Sequence, residues 1–168
     1  MDKILTVTNL EKSFHTREGE IKALDSVSFD VNDKEFISIV GPSGCGKSTI
    51  LSILADLEEK SNGEISFSKD YTIGYMLQND SLFEWRTVLE NCLLGLEVTK
   101  KLTKENKDYV IYLLKTYGLG EFMDEYPSRL SGGMRQRVAL IRTLATKPDI
   151  LLLDEAMSAL DYQSRLAI

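Results

Sequence analysis

The sequence has no long apolar run, little cysteine and no excess of positive charge. No stretch approaches the roughly eighteen apolar residues that a membrane helix needs, and no secretory apolar core is expected at the N-terminus. Two cysteines in 168 residues predict no disulfide framework. A net charge of −6 argues against a dedicated nucleic-acid surface. These absences disfavour membrane spans, secretion and nucleic-acid binding.

The residues that are present suit one globular domain. The chain is 43% hydrophobic and 27% charged, and its length allows an adequate core. No internal repeat, low-complexity segment or long linker interrupts it. Strands are predicted over residues 4–10, 23–31, 64–68 and 71–77. Helix is predicted over residues 87–117, with Gly118 and Gly120 ending it.

A glycine-rich segment, Gly41-Pro-Ser-Gly-Cys-Gly-Lys-Ser48, fits the pattern G-x-x-x-x-G-K-[S/T]. Glycines allow backbone N–H groups to approach a polyanion without an intervening Cβ. Lys47 is then expected to pair with the β and γ phosphates of a nucleotide, and the Ser48 hydroxyl to ligate Mg²⁺. A glycine turn with an incidental lysine is the alternative.

The flanks of this segment support the phosphate interpretation. Residues 35–40 form a short apolar run that predicts a buried strand. Apolar residues recur at helical spacing from Ile50 onward, so Thr49 falls in the first turn of a helix. The dipole of that helix favours phosphate at its N-terminus.

A second apolar run, residues 150–153, ends in the adjacent carboxylates Asp154 and Glu155. At the carboxyl end of a strand these groups would project into the crevice where α/β sheets bind ligands. Asp154 is the candidate for holding Mg²⁺, and Glu155 is the candidate general base that polarises water. A strand end capped by solvated acids is the alternative.

Residues 130–137 read Leu-Ser-Gly-Gly-Met-Arg-Gln-Arg. Ser131 is a good N-cap, and Gly132 and Gly133 would leave backbone N–H groups bare at a helix start. The apolar pattern that follows predicts a helix to about Lys147, before Pro148. A capped helix N-terminus of this kind is a second candidate phosphate site.

These motifs, in this order, resemble the nucleotide-binding subunit of ATP-binding cassette (ABC) transporters over essentially the whole chain. The likeness is strongest to the importer branch for nitrate, sulfonate or taurine-type solutes. It implies an α/β fold: a P-loop NTPase (RecA-like) core with an N-terminal antiparallel β region and an inserted α-helical subdomain, incomplete at the C-terminus. The single domain, 1–168, would comprise the β region and first part of the core (1–85), the helical subdomain (86–130), and the signature helix, acidic strand and following loop (131–168).

The resemblance also implies roles for individual residues. The ATP-binding residues would be Phe14 against adenine, Gly41, Pro42, Ser43, Gly44, Cys45, Gly46, Lys47, Ser48 and Thr49, with Ser131, Gly132 and Gly133. The metal ligands would be Ser48, Gln78 and Asp154, and the catalytic residues Glu155 and Gln78. The loop at the dimer interface would be Ser158, Ala159, Leu160 and Asp161. Ala156 stands where the family usually has proline.

Two of these assignments have structural alternatives. Phe14 also fits a core aromatic at a strand end. The stretch 80–91 resembles the part of the importer branch that faces the membrane subunit, and Trp85 within it is either an interface anchor or a packed hydrophobe.

By this resemblance the chain would hydrolyse ATP with Mg²⁺ and energise solute import. Its partners would be a transmembrane permease, a substrate-binding protein and a second copy in a nucleotide-dependent head-to-tail homodimer, with no nucleic acid. The protein would lie in the cytoplasm at the inner face of the membrane, where a reducing environment protects Cys45. Soluble ABC ATPases of DNA repair or translation are the competing class, but the chain has no coiled-coil heptads and no second cassette.

A third interpretation is a truncated cassette that binds nucleotide at most. The family places a histidine after the acidic pair, against the γ-phosphate, whereas the one histidine here is His15. In such cassettes a further strand, which follows the acidic pair in the chain, lies between the strand before the phosphate loop (residues 35–40 here) and the strand at residues 150–153. We therefore expect the chain alone to fold poorly and hydrolyse ATP slowly.

Overall fold

The computed structural model describes residues 2–17 and 19–155. Its elements are β1 (Lys3–Thr16), β2 (Gly19–Asn32), α1 (Lys47–Leu54), β3 (Asn62–Phe67), β4 (Ile73–Met76), α2 (Val88–Val98), α3 (Lys104–Thr116), two 3₁₀ turns (Gly120–Phe122 and Pro127–Arg129), α4 (Gly132–Leu144) and β5 (Ile150–Leu153). The chain divides into two compact units, Met1–Thr72 and Ile73–Ile168.

The first unit is built on a three-stranded antiparallel sheet in the order β2-β1-β3. The predicted strands 4–10, 23–31 and 64–68 are confirmed, and the first two extend further than predicted. Leu5, Val7 and Leu10 of the central strand are almost fully buried, each contributing about 1.5–3 kcal/mol by the usual burial scale. Gly63 has a φ of 89°, and an added Cβ there would clash with the backbone of Asn9, so β3 enters the sheet through a position that only glycine fills.

The predicted buried strand over residues 35–40 is wrong. The segment has no regular secondary structure, and the side chains of Phe36 and Val40 are 89% and 88% exposed. An apolar, β-branched composition favours a strand only where a neighbouring strand pairs the backbone N–H and C=O groups. Among the described residues no strand pairs with this segment.

In its described part, residues 73–155, the second unit combines a two-stranded parallel sheet, β4 beside β5, with three helices. Tyr75 pairs with Leu152 and Met76 with Leu153, which confirms strands within residues 71–77 and 150–153. The core of this unit lies among α2, α3 and α4. Its fully buried members include Val88, Cys92, Leu96, Val110, Leu114, Val138 and Ile141.

The helical stretch predicted over residues 87–117 consists of two helices, α2 and α3. Lys100 takes a left-handed backbone, with φ 56°, and the Thr103 side chain accepts a hydrogen bond from Asn106 N to cap α3. The Thr87–Glu90 capping box starts α2. Gly118, with φ 72°, follows the end of α3, as predicted.

Candidate nucleotide-binding site

The phosphate loop, residues 41–48, runs directly into α1, which begins at Lys47. Gly44 and Gly46 have φ values of 78° and 96°, in the region that side chains disfavour. A Cβ added at Gly46 would lie 2.6 Å from Ala23 O and 2.7 Å from Leu24 Cδ2. The loop therefore lies against β2 at a distance that glycine alone permits.

The N-terminus of α1 has the features of an anion site. Gly46 is the N-cap, no side chain caps the helix, and its first turn carries no acidic residue. The first helical bond is Ile50 N to Gly46 O, at 3.0 Å. The N–H groups of Lys47, Ser48 and Thr49 precede that bond, so they are positioned to donate to a bound anion. These residues fit the phosphates of a nucleotide.

Lys47 supplies positive charge at the loop. Its Nζ donates to Gly41 O and Pro42 O, both at 2.9 Å, and lies 3.9 Å from the sulfur of Cys45. Cys45 is an exposed free thiol. An ammonium has three donors, so Lys47 holds the loop together and can still meet an anion.

Phe14 lies near the end of β1, paired with Ile21 of β2. Its side chain is 37% exposed, and the Lys12 ammonium lies 4.7 Å from the ring centroid. The exposure disfavours the core-aromatic alternative and leaves ring surface available for stacking.

The acidic pair follows β5 in the second unit. Asp154 is 5% exposed; its N donates to Met76 O at 3.1 Å, and Tyr75 Oη donates to its Oδ2 at 3.4 Å. Glu155 is exposed and has a left-handed backbone, with φ 47°, a conformation that is strained for a residue with a side chain. Its Oε2 accepts a 2.7 Å hydrogen bond from Gln78 Nε2. The structure thus brings Gln78 and Glu155 together.

The signature segment, residues 130–137, contains the N-cap and the first turns of α4. Ser131 Oγ accepts from Met134 N at 3.3 Å, making it the N-cap. A Cβ added at Gly132 would meet nothing within 4 Å, so this helix start is open on that side. Gln136 Nε2 donates to Gln78 O at 3.3 Å, and the buried Gln136 Oε1 has no hydrogen-bond partner among the described residues. The helix ends at Leu144, earlier than the predicted end near Lys147.

Two arginines of α4 hold the segment after Gln78, and sequence reasoning did not find this contact. Arg135 donates two hydrogen bonds to the Asp80 carboxylate, from Nε to Oδ2 at 2.8 Å and from Nη2 to Oδ1 at 3.0 Å. Its Nη2 also donates to Glu84 Oε1 at 2.7 Å. The Arg135 hydrogen bonds hold the pKa of Asp80 below its usual value. Arg142 donates to Asp80 O at 2.6 Å and Ser81 O at 2.8 Å, and burial lowers its pKa.

The loop between Phe83 and Thr87 is organised by one buried amide. Asn91 is 0% exposed; its Oδ1 accepts from Phe83 N at 2.8 Å, and its Nδ2 donates to Phe83 O, Arg86 O and Thr87 O. Trp85, in that loop, is 73% exposed. Its ring centroid lies 4.9 Å from that of Phe83. The exposure disfavours the packed-hydrophobe alternative for Trp85.

Several predicted positions lie outside the described residues. They are Ala156 and the interface loop Ser158, Ala159, Leu160 and Asp161. Within residues 2–17 and 19–155, no helix has the length and apolar character to cross a membrane. In that same part of the chain no cluster of three or more His, Cys, Asp or Glu residues is arranged to hold a metal ion.

Comparison with known proteins identifies the class and then the family. Over 98% of its length the chain superposes on the solved dimeric structure of the ATP-binding cassette MJ0796 bound to ADP and Pi, with a TM-score of 0.87 and 33% identity, covering 79% of that chain. The fold is therefore that of P-loop ABC cassettes, as predicted. The family model described as ABC transporter matches residues 24–158. The chain belongs to the ABC transporter family.

Curated relatives agree with this assignment. The chain is 45% identical to the uncharacterized ABC transporter ATP-binding protein YtlC of Bacillus subtilis (strain 168), over 98% of this chain and 65% of that protein. It is 41% identical to the taurine import ATP-binding protein TauB of Rhizobium johnstonii, over 96% of this chain and 64% of that protein. The chain thus spans slightly less than two thirds of the length of these relatives.

Proposed function

We propose that the chain is the ATP-binding and ATP-hydrolysing part of an ABC importer for a small anionic or zwitterionic solute of the nitrate, sulfonate or taurine type. The observation that carries the proposal is the geometry of the phosphate loop. The loop packs so closely on β2 that only glycine fits at position 46, no side chain caps the N-terminus of α1, and the Lys47 ammonium lies at the loop. Relatives named as import proteins for taurine and for sulfate or thiosulfate, and one named as a bicarbonate transport protein, support the solute class.

In this proposal the first unit binds the nucleotide. The backbone of residues 41–49 donates to the phosphates, Lys47 exchanges a loop carbonyl for phosphate oxygens, and Phe14 stacks on adenine. By resemblance to the family, Ser48, Gln78 and Asp154 would hold Mg²⁺, an ion that prefers oxygen ligands such as these. When bound, the ion neutralises charge on the β and γ phosphates.

The second unit would supply the hydrolytic groups. Glu155 would accept the proton of the attacking water, and the Gln78 amide orients its carboxylate through the 2.7 Å hydrogen bond. The Ser131–Gly133 helix start would bind the γ-phosphate held by a second copy, and residues Ser158, Ala159, Leu160 and Asp161 would contact that copy.

Membrane coupling is assigned to the loop that Asn91 organises. We place the helical subdomain at residues 86–130, between the first part of the core (1–85) and the signature and acidic strand (131–168). Exposed Trp85 and its neighbour Phe83 would receive a helix of a transmembrane permease, which a substrate-binding protein would load. The protein would then lie at the cytoplasmic face of the membrane.

Thermal protection by ATP with Mg²⁺ tests the nucleotide site. We expect ATP at about 100 times its Kd to add roughly 2.7 kcal/mol to the free energy of unfolding. Lys47→Ala should remove most of that gain, because the phosphates lose their cationic partner. The matched control is Lys60→Ala, which removes a positive charge from an exposed residue outside the loop.

Equal ATP-induced shifts in melting temperature for the wild-type and Lys47→Ala chains would contradict the site assignment. Phosphate release distinguishes the two functions that the sequence leaves open. Protection by ATP with phosphate release supports an ATPase. Protection without release would retain nucleotide binding and reject hydrolysis by this chain.

A further inference from the structure

Lys12 is a lysine in an unusual position, on β1 and only 9% exposed. Lysine is seldom buried unless its charge is paired. Its Nζ donates to Glu58 Oε1 and to Glu59 O, each at 2.6 Å. The same ammonium lies 4.7 Å from the centroid of the Phe14 ring. The charge is therefore shared between a carboxylate, a carbonyl and an aromatic face.

These contacts connect the aromatic ring to the helix that carries the phosphate loop. Helix α1 starts at Lys47 and ends at Leu54, a few residues before Glu58. Two further hydrogen bonds join the segment after α1, residues 58–61, to β1. Ser61 N donates to Glu11 O at 2.8 Å, and Ser13 N donates to Ser61 Oγ at 3.0 Å. The position of the ring relative to the phosphate loop is thus set by a short, hydrogen-bonded path within one unit.

The ammonium also constrains the ring itself. Two of its three N–H donors are used by oxygens, which fixes the cation over one face of Phe14. A cation over an aromatic face is worth about 0.5–1 kcal/mol at an exposed site and about 2 where desolvated. The remaining exposed ring surface, at 37% exposure, is the part available to a ligand.

We propose that Lys12 is a positioning residue for nucleotide-base recognition: it anchors Phe14 at a fixed distance from the phosphate loop, so that the ring meets the purine of a nucleotide whose phosphates are held at residues 41–48. This rests on the proposed function, in which Phe14 stacks on adenine. The role is specific to the base, because Lys12 contacts neither Lys47 nor the loop backbone in its hydrogen bonds.

The experiment compares two ligands, ATP and inorganic tripolyphosphate, which carries similar phosphates and no base. Their affinities for the chain are measured with Mg²⁺ by calorimetry. We expect Lys12→Met to weaken ATP binding about 5- to 10-fold, because the Phe14 ring is then no longer held in place and must be ordered when the base binds, while tripolyphosphate binding changes less than twofold. Phe14→Ala should lose ATP affinity similarly, and the double variant should lose little more.

Two further variants keep the test decisive. Glu58→Gln leaves Lys12 in place but weakens its anchor at a half-buried site, so it should show a smaller loss of the same base-dependent kind even if Lys12→Met fails to fold. Lys3→Met, an exposed lysine of the same strand, is the matched control and should change neither affinity.

An equal loss of ATP and tripolyphosphate affinity in a folded Lys12→Met chain would overturn the proposal, because a general structural role predicts that result. Unchanged ATP affinity would overturn it as well. If the wild-type chain binds tripolyphosphate and ATP equally, the base-stacking role of Phe14 fails, and the role of Lys12 with it. If the wild-type chain binds neither ligand, the proposed function itself fails.

Discussion

The buried side chain of Asn91 holds the backbone of residues 83–87 in one conformation, an effect that no sequence pattern predicts. Its Oδ1 accepts a hydrogen bond from Phe83 N, and its Nδ2 donates to the carbonyl oxygens of Phe83, Arg86 and Thr87. These bonds take the place of those that a turn of helix would make. A buried amide satisfied in this way specifies one loop conformation, because every alternative leaves a polar group unpaired. That conformation keeps Trp85 exposed.

Asn91→Leu should destabilise the chain and disorder this loop. The two side chains share the same branching, but the variant leaves Phe83 N and Arg86 O without their Asn91 partners, at about 1–3 kcal/mol for each buried group. We expect a loss of roughly 3 kcal/mol by urea denaturation. Trp85, the one tryptophan of the sequence, should also show lower fluorescence anisotropy. Asn79→Leu, at an exposed position, is the control; equal effects in the two variants would refute the role of Asn91.

In the second unit, charged side chains of α4 bind the segment that follows β4. Helix α4 carries both Arg135 and Arg142, and through Asp80 it holds the chain that leaves β4. The same helix begins at the signature serine, Ser131. A displacement of the segment after Gln78 is therefore transmitted to the signature helix by an ion pair rather than by apolar packing alone.

This ion pair predicts a pH dependence with a definite sign. The folded pKa of Asp80 lies below its unfolded value of about 3.9, so its stabilisation is present above pH 4 and is lost as pH falls through the folded pKa. Asp80→Asn should cost about 1.5–2 kcal/mol near neutral pH, at the lower end of the range for hydrogen bonds to charged groups, and its deficit should shrink below pH 4. Urea denaturation at pH 7, 5 and 3 measures this.

Asp108→Asn, on the exposed face of α3, provides the comparison for that series. A deficit in Asp80→Asn that stays constant from pH 7 to pH 3 would show that the Asp80 carboxylate contributes through packing rather than charge.

Elements with local signals are the ones that sequence predicts. Ser131 followed by two glycines predicts the start of α4, and the apolar run before Asp154 predicts β5, because capping and strand composition are local properties. Residues 35–40 have an equally good strand composition, yet strand formation depends on a partner elsewhere in the chain. The Arg135–Asp80 pair spans 55 positions, and no periodic pattern connects residues so far apart.

At the scale of the whole molecule, the candidate site residues fall into two groups. Phe14 and the phosphate loop belong to Met1–Thr72, whereas Gln78, the signature segment and the acidic pair belong to Ile73–Ile168. Under the proposed function, nucleotide affinity belongs mainly to the first unit and turnover mainly to the second. A substitution in the second unit can then separate the two properties.

Glu155→Gln should make that separation. It removes the general base but leaves the phosphate loop intact, so ATP should remain bound and hold two copies together head to tail. Size-exclusion chromatography with ATP and Mg²⁺ should show a dimer for the variant that persists longer than for the wild-type chain, together with at least a tenfold lower rate of phosphate release. Turnover near the wild-type rate would remove Glu155 from its role.

The two thiols differ so strongly in environment that the chain carries a built-in labelling position. Cys92 is completely buried in α2, and burial raises its pKa to about 12, so its thiolate is scarce at neutral pH. Cys45 is exposed within the phosphate loop, beside the Lys47 ammonium. A maleimide therefore reaches one site in the folded chain, and a nucleotide bound at the loop should shield that thiol and slow its labelling.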